Sequence, residues 1–166
     1  MHSLKKKIFT NCFLVKTDSN GVPTHICLAM KKRGFGQGMW NGSGGKPKDG
    51  EKIADAACRE VEEEFKVKVK KYEKRGEITF ILRKENKKVL MHTFLVTSWD
   101  NKPSETEEMK PKWFSVNKTP YRKMWASDRE WLPIILSGKK IRAKYTYKTE
   151  GGKVETREVK EVVKFV

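Results

Sequence analysis

A glycine-dense stretch, RGFGQGMWNGSGGKPKDGE at residues 33 to 51, leads directly into a segment, 52 to 65, where Ala54, Cys58, Val61 and Phe65 recur on one helical stripe. A helix with a single apolar stripe must bury it, and the strand-forming runs on either side supply a sheet to bury it on. Upstream, IFTNCFLVK (8–16) and HICLAM (25–30) are separated by the turn-rich DSNGVP and read as a hairpin. Downstream, EITFILR (77–83) and VLMHTFLVTSW (89–99) flank the polar KENKK, and KWFSV (112–116) is a further strand, preceded by an acidic loop, NKPSETEEMKP. A second helix is predicted over about 128–137. Ser127 and Glu130 have capping-box spacing at its start, and Gly138 is placed to cap its end. The tail from Arg142 alternates around Gly151 and Gly152 as a terminal hairpin. With no repeat and no linker, residues 1–166 read as one domain of α/β (α+β) class, its helices packed on a mixed sheet.

Composition narrows the function classes. Lys+Arg number 37 against 21 Asp+Glu, for a net charge of +16, so the surface attracts polyanions, although scattered lysines also serve simply to solubilise. Cys12, Cys27 and Cys58 are odd in number and lack paired metal spacing, which argues against a disulfide framework or zinc site and for a reducing compartment. The expected location is the cytoplasm, with the nucleus or mitochondrial matrix as alternatives. The basic start and short apolar run MHSLKKKIFTNCFLV are broken by Thr10 and Asn11, so they read as a strand and not a leader. No stretch reaches the roughly 20 apolar residues of a membrane span, and no membrane partner is expected.

Against this basic background REVEEE, residues 59–64, is an anomaly. On a helix Glu60, Glu63 and Glu64 share a face, while Glu62 points elsewhere. Like charges so spaced repel by roughly 0.2–0.5 kcal/mol per pair, which calls for a positive partner. A solvated face paired with Lys52, Lys66 and Lys68 is the ordinary explanation of a lone acidic run. A hard divalent cation that also binds phosphate is the functional one.

The surrounding spacing favours the second. From Gly45 the chain runs through Glu51, Arg59, Glu60, Val61, Glu63 and Glu64 to Val67, and so resembles the Nudix signature G-x5-E-x7-R-E-U-x-E-E-x-G-U, with U aliphatic. The one departure is Lys66 in place of the last glycine, where a left-handed cap would cost about 1 kcal/mol. The resemblance implies a Nudix α/β/α sandwich with a mixed β-sheet, and Mg²⁺-dependent hydrolysis of a nucleoside diphosphate linked to a further group, with Mn²⁺ as a substitute. It makes Glu60, Glu63 and Glu64 metal ligands, joined by the Gly44 carbonyl. Arg59 would orient the carboxylates, Glu51 would support the loop and helix start, and Glu64 is our choice of general base. Glu108 is a candidate ligand from outside the helix, or else a solvated loop acid.

Outside the box, MKKRGFGQGMWNGSGGK (30–46), EEMKPKWF (107–114) and KMWASDREWLP (123–133) are similar to the MutT-homologue branch, the oxidised purine nucleoside triphosphate hydrolases, and the similarity spans about residues 8 to 147. It implies cleavage of 8-oxo-dGTP and related triphosphates to monophosphate and pyrophosphate. Carried across, Asn41 would bond the purine edge and Trp125 would stack on the base. Phe35, Phe80 and Thr10 would line the pocket, Lys31 would contact sugar or phosphates, and Lys46 the phosphates. Ser127 and Asp128 stand where the branch has two adjacent aspartates, and Ser43 replaces a pocket phenylalanine, so altered purine selectivity is expected. A small nucleotide is the expected partner, nucleic acid is not required, and a monomer is the expected state. The competing readings are a cap or dinucleoside polyphosphate hydrolase, and an inactive Nudix module that binds nucleic acid through the basic surface.

Overall fold

The computed structural model describes residues 3–34 and 36–166; the expectation for Phe35 lies outside the described residues. Among the described residues the order is β1 (Lys5–Thr17), β2 (Pro23–Lys31), β3 (Trp40–Asn41), α1 (Ile53–Phe65), β4 (Lys68–Leu82), β5 (Lys87–Asp100), β6 (Met109–Ser115), α2 (Asp128–Leu136), β7 (Lys140–Tyr147) and β8 (Val154–Val162). Short 3-10 turns at Val116–Lys118 and Tyr121–Lys123 connect β6 to α2. The strands form one mixed sheet, β3-β2-β1-β5-β4-β7-β8, with β6 on β2. The pairs β1/β5 and β4/β7 are parallel, and the other pairs are antiparallel.

Period-two alternation sends successive side chains to opposite faces of this sheet, which makes the fold a three-layer sandwich. Cys12 and Leu14 of β1, Cys27 and Ala29 of β2, and Phe94 and Val96 of β5 pack on Ala57, Val61 and Phe65 of α1. Their neighbours Phe13, Val15, Ile26, Leu28 and Leu95 face the other way, onto Trp131, Leu132 and Ile135 of α2. No helix is long and apolar enough to cross a membrane among the described residues.

Three local expectations need correction. The buried stripe of α1 includes Ala57, Val61, Glu64 and Phe65, while Ala54 and Cys58 stay partly exposed, so the helix is rotated to carry Glu64 inward. The Ser127–Glu130 capping box does not form: Ser127 has helical backbone angles and its side chain caps nothing, while the Asp128 carboxylate accepts the Trp125 N–H at 3.1 Å. The acidic loop ends earlier than predicted, because Met109–Ser115 pairs along β2. Gly138 takes a positive φ of 99° just past α2, as a helix stop requires.

Lys66 caps α1 in the left-handed region (φ 58°, ψ 35°), its N–H bonded to the Glu62 carbonyl at 3.1 Å. The turn that follows is tied to α1 through Glu62, whose Oε1 accepts the Val69 N–H at 3.1 Å and meets Lys68 Nζ at 3.3 Å, contacts that leave the positive φ of Lys66 unrelieved. Lys66→Gly should therefore stabilise the protein by about 0.5–1 kcal/mol, read as a higher urea midpoint at unchanged slope.

Candidate active site

The glycine-dense stretch is a wedge in the sheet. β1 and β2 pair only from Leu14↔Cys27 outward. Beyond that point residues 40–45 run between them: Ala29 pairs with Asn41, Cys12 bridges to Ser43, and the Thr10 N–H donates to the Gly45 carbonyl at 2.9 Å. Side chains would not fit. A Cβ on Gly44 would lie 1.9 Å from the Thr10 carbonyl oxygen, and one on Gly45 would lie 2.3 Å from Glu60 Oε1. The bare backbone lets α1 press its carboxylates against the wedge.

Arg59 organises that contact. Its guanidinium donates to both Glu51 oxygens (2.8 and 3.0 Å), to Glu60 Oε1 (2.9 Å), to Glu63 Oε2 (3.4 Å) and to the Lys46 carbonyl (3.3 Å). Glu51 also accepts the Lys48 N–H at 2.8 Å, so one carboxylate ties the loop to the helix. The Arg59 hydrogen bond first, and the Lys48 amide second, lower the Glu51 pKa to about 2.

Glu64 is the opposite case. It is buried, its Oε2 lacks any hydrogen-bond partner, and its pKa is pushed up to about 8. Burial is the main cause and the Glu60 charge the second; a hydrogen bond from the Gly44 amide opposes them, while Glu108 adds a smaller push. Among the described residues no three His, Cys, Asp or Glu side chains converge into a cation-holding group. Glu60 and Glu64 meet as a pair, Glu63 turns to Arg59, and Glu108 lies in the β6 approach with its side chain on Arg33 at 3.3 Å. Even so, the pair suits a hard divalent cation. It offers only oxygen donors, carries the negative charge, and includes one buried oxygen awaiting a partner.

On the α2 side of the wedge lies a cleft of about 610 Å³, large enough for a nucleotide base and sugar. Thr10, Lys31, Asn41, Gly44, Phe80, Trp125 and Asp128 all line it. Trp125 borders it beside Gly36 and Gly151, and Phe80 stacks on Tyr145 with ring centres 6.2 Å apart. Lys46 is not in the wall but stands near its edge, with Nζ 5.5 Å from the ring centre of Phe9, a lining residue. Two expected residues are misplaced. Ser43 and Ser127 are wholly buried and outside the lining. Ser43 sits in the bridge to Cys12, where alternation turns its side chain away while Gly42 and Gly44 meet the cleft. Ser127 lies behind the wall, near the Tyr147 hydroxyl.

The sequence reading missed Asn11, whose amide donates to Asn41 Oδ1 at 3.2 Å; that oxygen also takes the Gly42 N–H at 2.8 Å. A polar amide inside the strand run IFTNCFLV was the available signal, since a buried amide needs partners. Met91, Met109 and Tyr147 also line the cleft and carried no local signal.

Two acids line the cleft among the described residues, Glu150 at the exposed rim and Asp128, which is 4% exposed, and burial raises the Asp128 pKa from 3.8 to about 7 against the pull of the Trp125 amide. Near neutrality it offers both a donor and an acceptor form. The folded state holds this proton more tightly than the unfolded chain, so ionisation costs stability progressively from about pH 4 to pH 7 and no further above. Asp128→Asn should thus gain on the wild type across that window, by roughly 1.4 kcal/mol per pH unit at the steepest, in urea unfolding followed against pH.

The NUDIX domain model matches residues 10–134. Over 119 residues the chain is 42% identical to an oxidized purine nucleoside triphosphate hydrolase of Danio rerio and 40% identical to that of Mus musculus, covering 72% of this chain and 76% of each relative. The crystal structure of a mutator MutT protein from Bacillus halodurans superposes with a TM-score of 0.78 at 25% identity, covering 92% of this chain and 97% of that one. The wedge, the glutamate helix and the cleft-wall residues Asn41, Phe80, Trp125 and Asp128 fall inside the matched span, and the chain belongs to the Nudix family.

Proposed function

We propose that this protein hydrolyses oxidised purine nucleoside triphosphates, 8-oxo-dGTP foremost, to the nucleoside monophosphate and pyrophosphate, and so keeps damaged nucleotides out of DNA synthesis. One observation carries the reading: the glycine wedge lines a base-sized cleft on one side and rests against Glu60 and Glu64 on the other. A nucleotide seated in the cleft extends its phosphates toward those carboxylates. The names of the fish and mouse relatives support the same substrate class.

Glu60 and Glu64 would hold the divalent cation, Mg²⁺ with Mn²⁺ as a substitute, joined by Glu63, the Gly44 carbonyl and Glu108. When bound, such a cation neutralises phosphate oxygens and acidifies water. Arg59 holds Glu60 and Glu63 in place by charge-assisted hydrogen bonds. Glu64 is our choice of general base, a buried carboxylate set beside Glu60 and the Gly44 amide, with the cation's charge favouring its ionised form. Trp125 gives the base a stacking face worth roughly 1–3 kcal/mol. Asn41 and Asp128 read its edge, while Thr10 and Phe80 shape the wall. Lys31 and, from the rim, Lys46 neutralise sugar-phosphate charge.

Because Ser127 lies behind the wall and Glu150 lines the cleft only from its exposed rim, Asp128 is the buried carboxyl left to read the base. A pair of carboxyls sharing a proton adapts to several purines, and a single one adapts to fewer. A monomer is the state we expect for turnover, since one chain supplies both the cleft lining and the Glu60–Glu64 pair. The three free cysteines suit a reducing compartment, the cytoplasm first.

The test is a panel of 8-oxo-dGTP, 2-oxo-dATP and dGTP with Mg²⁺, with products identified and Glu64→Gln run alongside. The expected result is pyrophosphate release from 8-oxo-dGTP with kcat/KM at least about tenfold above that for 2-oxo-dATP, and a loss of about 10²-fold or more in the variant. If no triphosphate yields pyrophosphate the reading fails, and equal efficiency for the two oxidised purines removes the selectivity.

A further inference from the structure

Among the described residues β8 forms one margin of the sheet: it pairs with β7 and leaves its other edge open. It is exposed from Glu155 to Glu161, and Val159, at 42% exposure, is one of the few large apolar side chains presented to solvent. Long open edges are templates for pairing, and proteins usually block them with charge. Here the charges alternate in sign, V-E-T-R-E-V-K-E-V, so what matters is which strand they repel and which they accept.

A second copy of this strand can be set against the first antiparallel, about a two-fold axis normal to the sheet. The pairing is then defined by the residue on the axis, and faces match only if residues equally spaced about it stand opposite each other. An axis at Arg157, Glu158 or Lys160 sets a charge against its own copy, which is repulsive. An axis at Thr156 leaves residues 159–162, four of the nine in the strand, unpaired. An axis at Val159 sets Val159 against Val159, Glu158 against Lys160, Arg157 against Glu161 and Thr156 against Val162, each unlike pair occurring twice. Every charged residue from 157 to 161 then faces its opposite.

We propose that β8 pairs edge to edge with β8 of a second copy of this chain in the Val159-centred register, joining two sheets into one. Glu158 and Lys160 make no ion pair in their own chain among the described residues, so they are available to the partner. Arg157 and Glu161 do have intrachain partners, Glu130 at 2.5 Å and Lys139 at 2.7 Å, but the guanidinium keeps further N–H groups and the carboxylate a second oxygen. Strand pairing alone makes a small interface, so the dimer is transient, and two chains of charge +16 repel unless salt screens them.

Sedimentation velocity on the full chain at about 0.15 M salt, over a concentration series, tests this. The wild-type mass should climb from 19.3 kDa toward twice that value. Glu158→Lys and Lys160→Glu, each placing like charges opposite one another twice, should weaken association at least about tenfold, and the double swap should restore it. Circular dichroism of each variant establishes that it is folded, and 8-oxo-dGTP turnover at low concentration should be unchanged. Monomer at every concentration, a dimer indifferent to the single changes, or a double swap no better than the singles would each overturn the proposal.

Discussion

Close approach of a bare backbone to two neighbours at once is the constraint on which the rest of the site depends. Residues 42–45 lie between β1 and β2 only because Gly44 has no Cβ to strike the Thr10 carbonyl, and α1 reaches them only because Gly45 has none to strike Glu60. The wedge parts two strands and thereby gives the sheet a cleft on its α2 side and an acidic pair on its α1 side. Arg59 then locks the geometry from outside, joining Glu51, Glu60, Glu63 and the Lys46 carbonyl through one planar group. Without that cation the carboxylates would sit at unrelieved repulsion.

The acidic pair is strained in the electrostatic sense. Glu51 and Glu64 are carboxylates a few turns apart, yet one has its pKa pulled to about 2 by Arg59 and the other has it driven to about 8 by burial beside Glu60. That divergence separates a structural tie from a site with chemistry to do. It also gives sense to the composition: a strongly basic surface draws polyphosphate inward, and in the binding mode proposed above the acidic pair lies where the phosphates arrive.

Features that depend on local spacing were legible in the sequence. The extents of α1 and α2, the two hairpins and the left-handed cap at Lys66 follow from periodicity and turn chemistry, and the structure agrees; Glu62 points away from Glu60 and Glu64, as its helical angle requires, and binds Val69 and Lys68 of β4. The Asn41, Phe80, Trp125 and Asp128 side of the cleft came from resemblance, and those four residues do share a wall. What depends on a third element was not legible. Ser43 and Ser127 hide because a bridge to β1 and the entry of α2 turn them inward, and α1 is rotated by packing so that Glu64 takes a core position that an apolar stripe would assign elsewhere. Asn11 is visible only as a polar residue in a buried strand until its bond to Asn41 is seen.

The central claim is that one wedge holds the base on one side and the phosphates on the other. A crystal structure of the chain with 8-oxo-dGMP and Mn²⁺, with the ion located by its anomalous signal, tests it most directly. The account predicts the purine against Trp125 with Asn41 and Asp128 at its edge, and the anomalous peak at Glu60 and Glu64. A base bound outside the cleft, or an ion remote from Glu64, would contradict it.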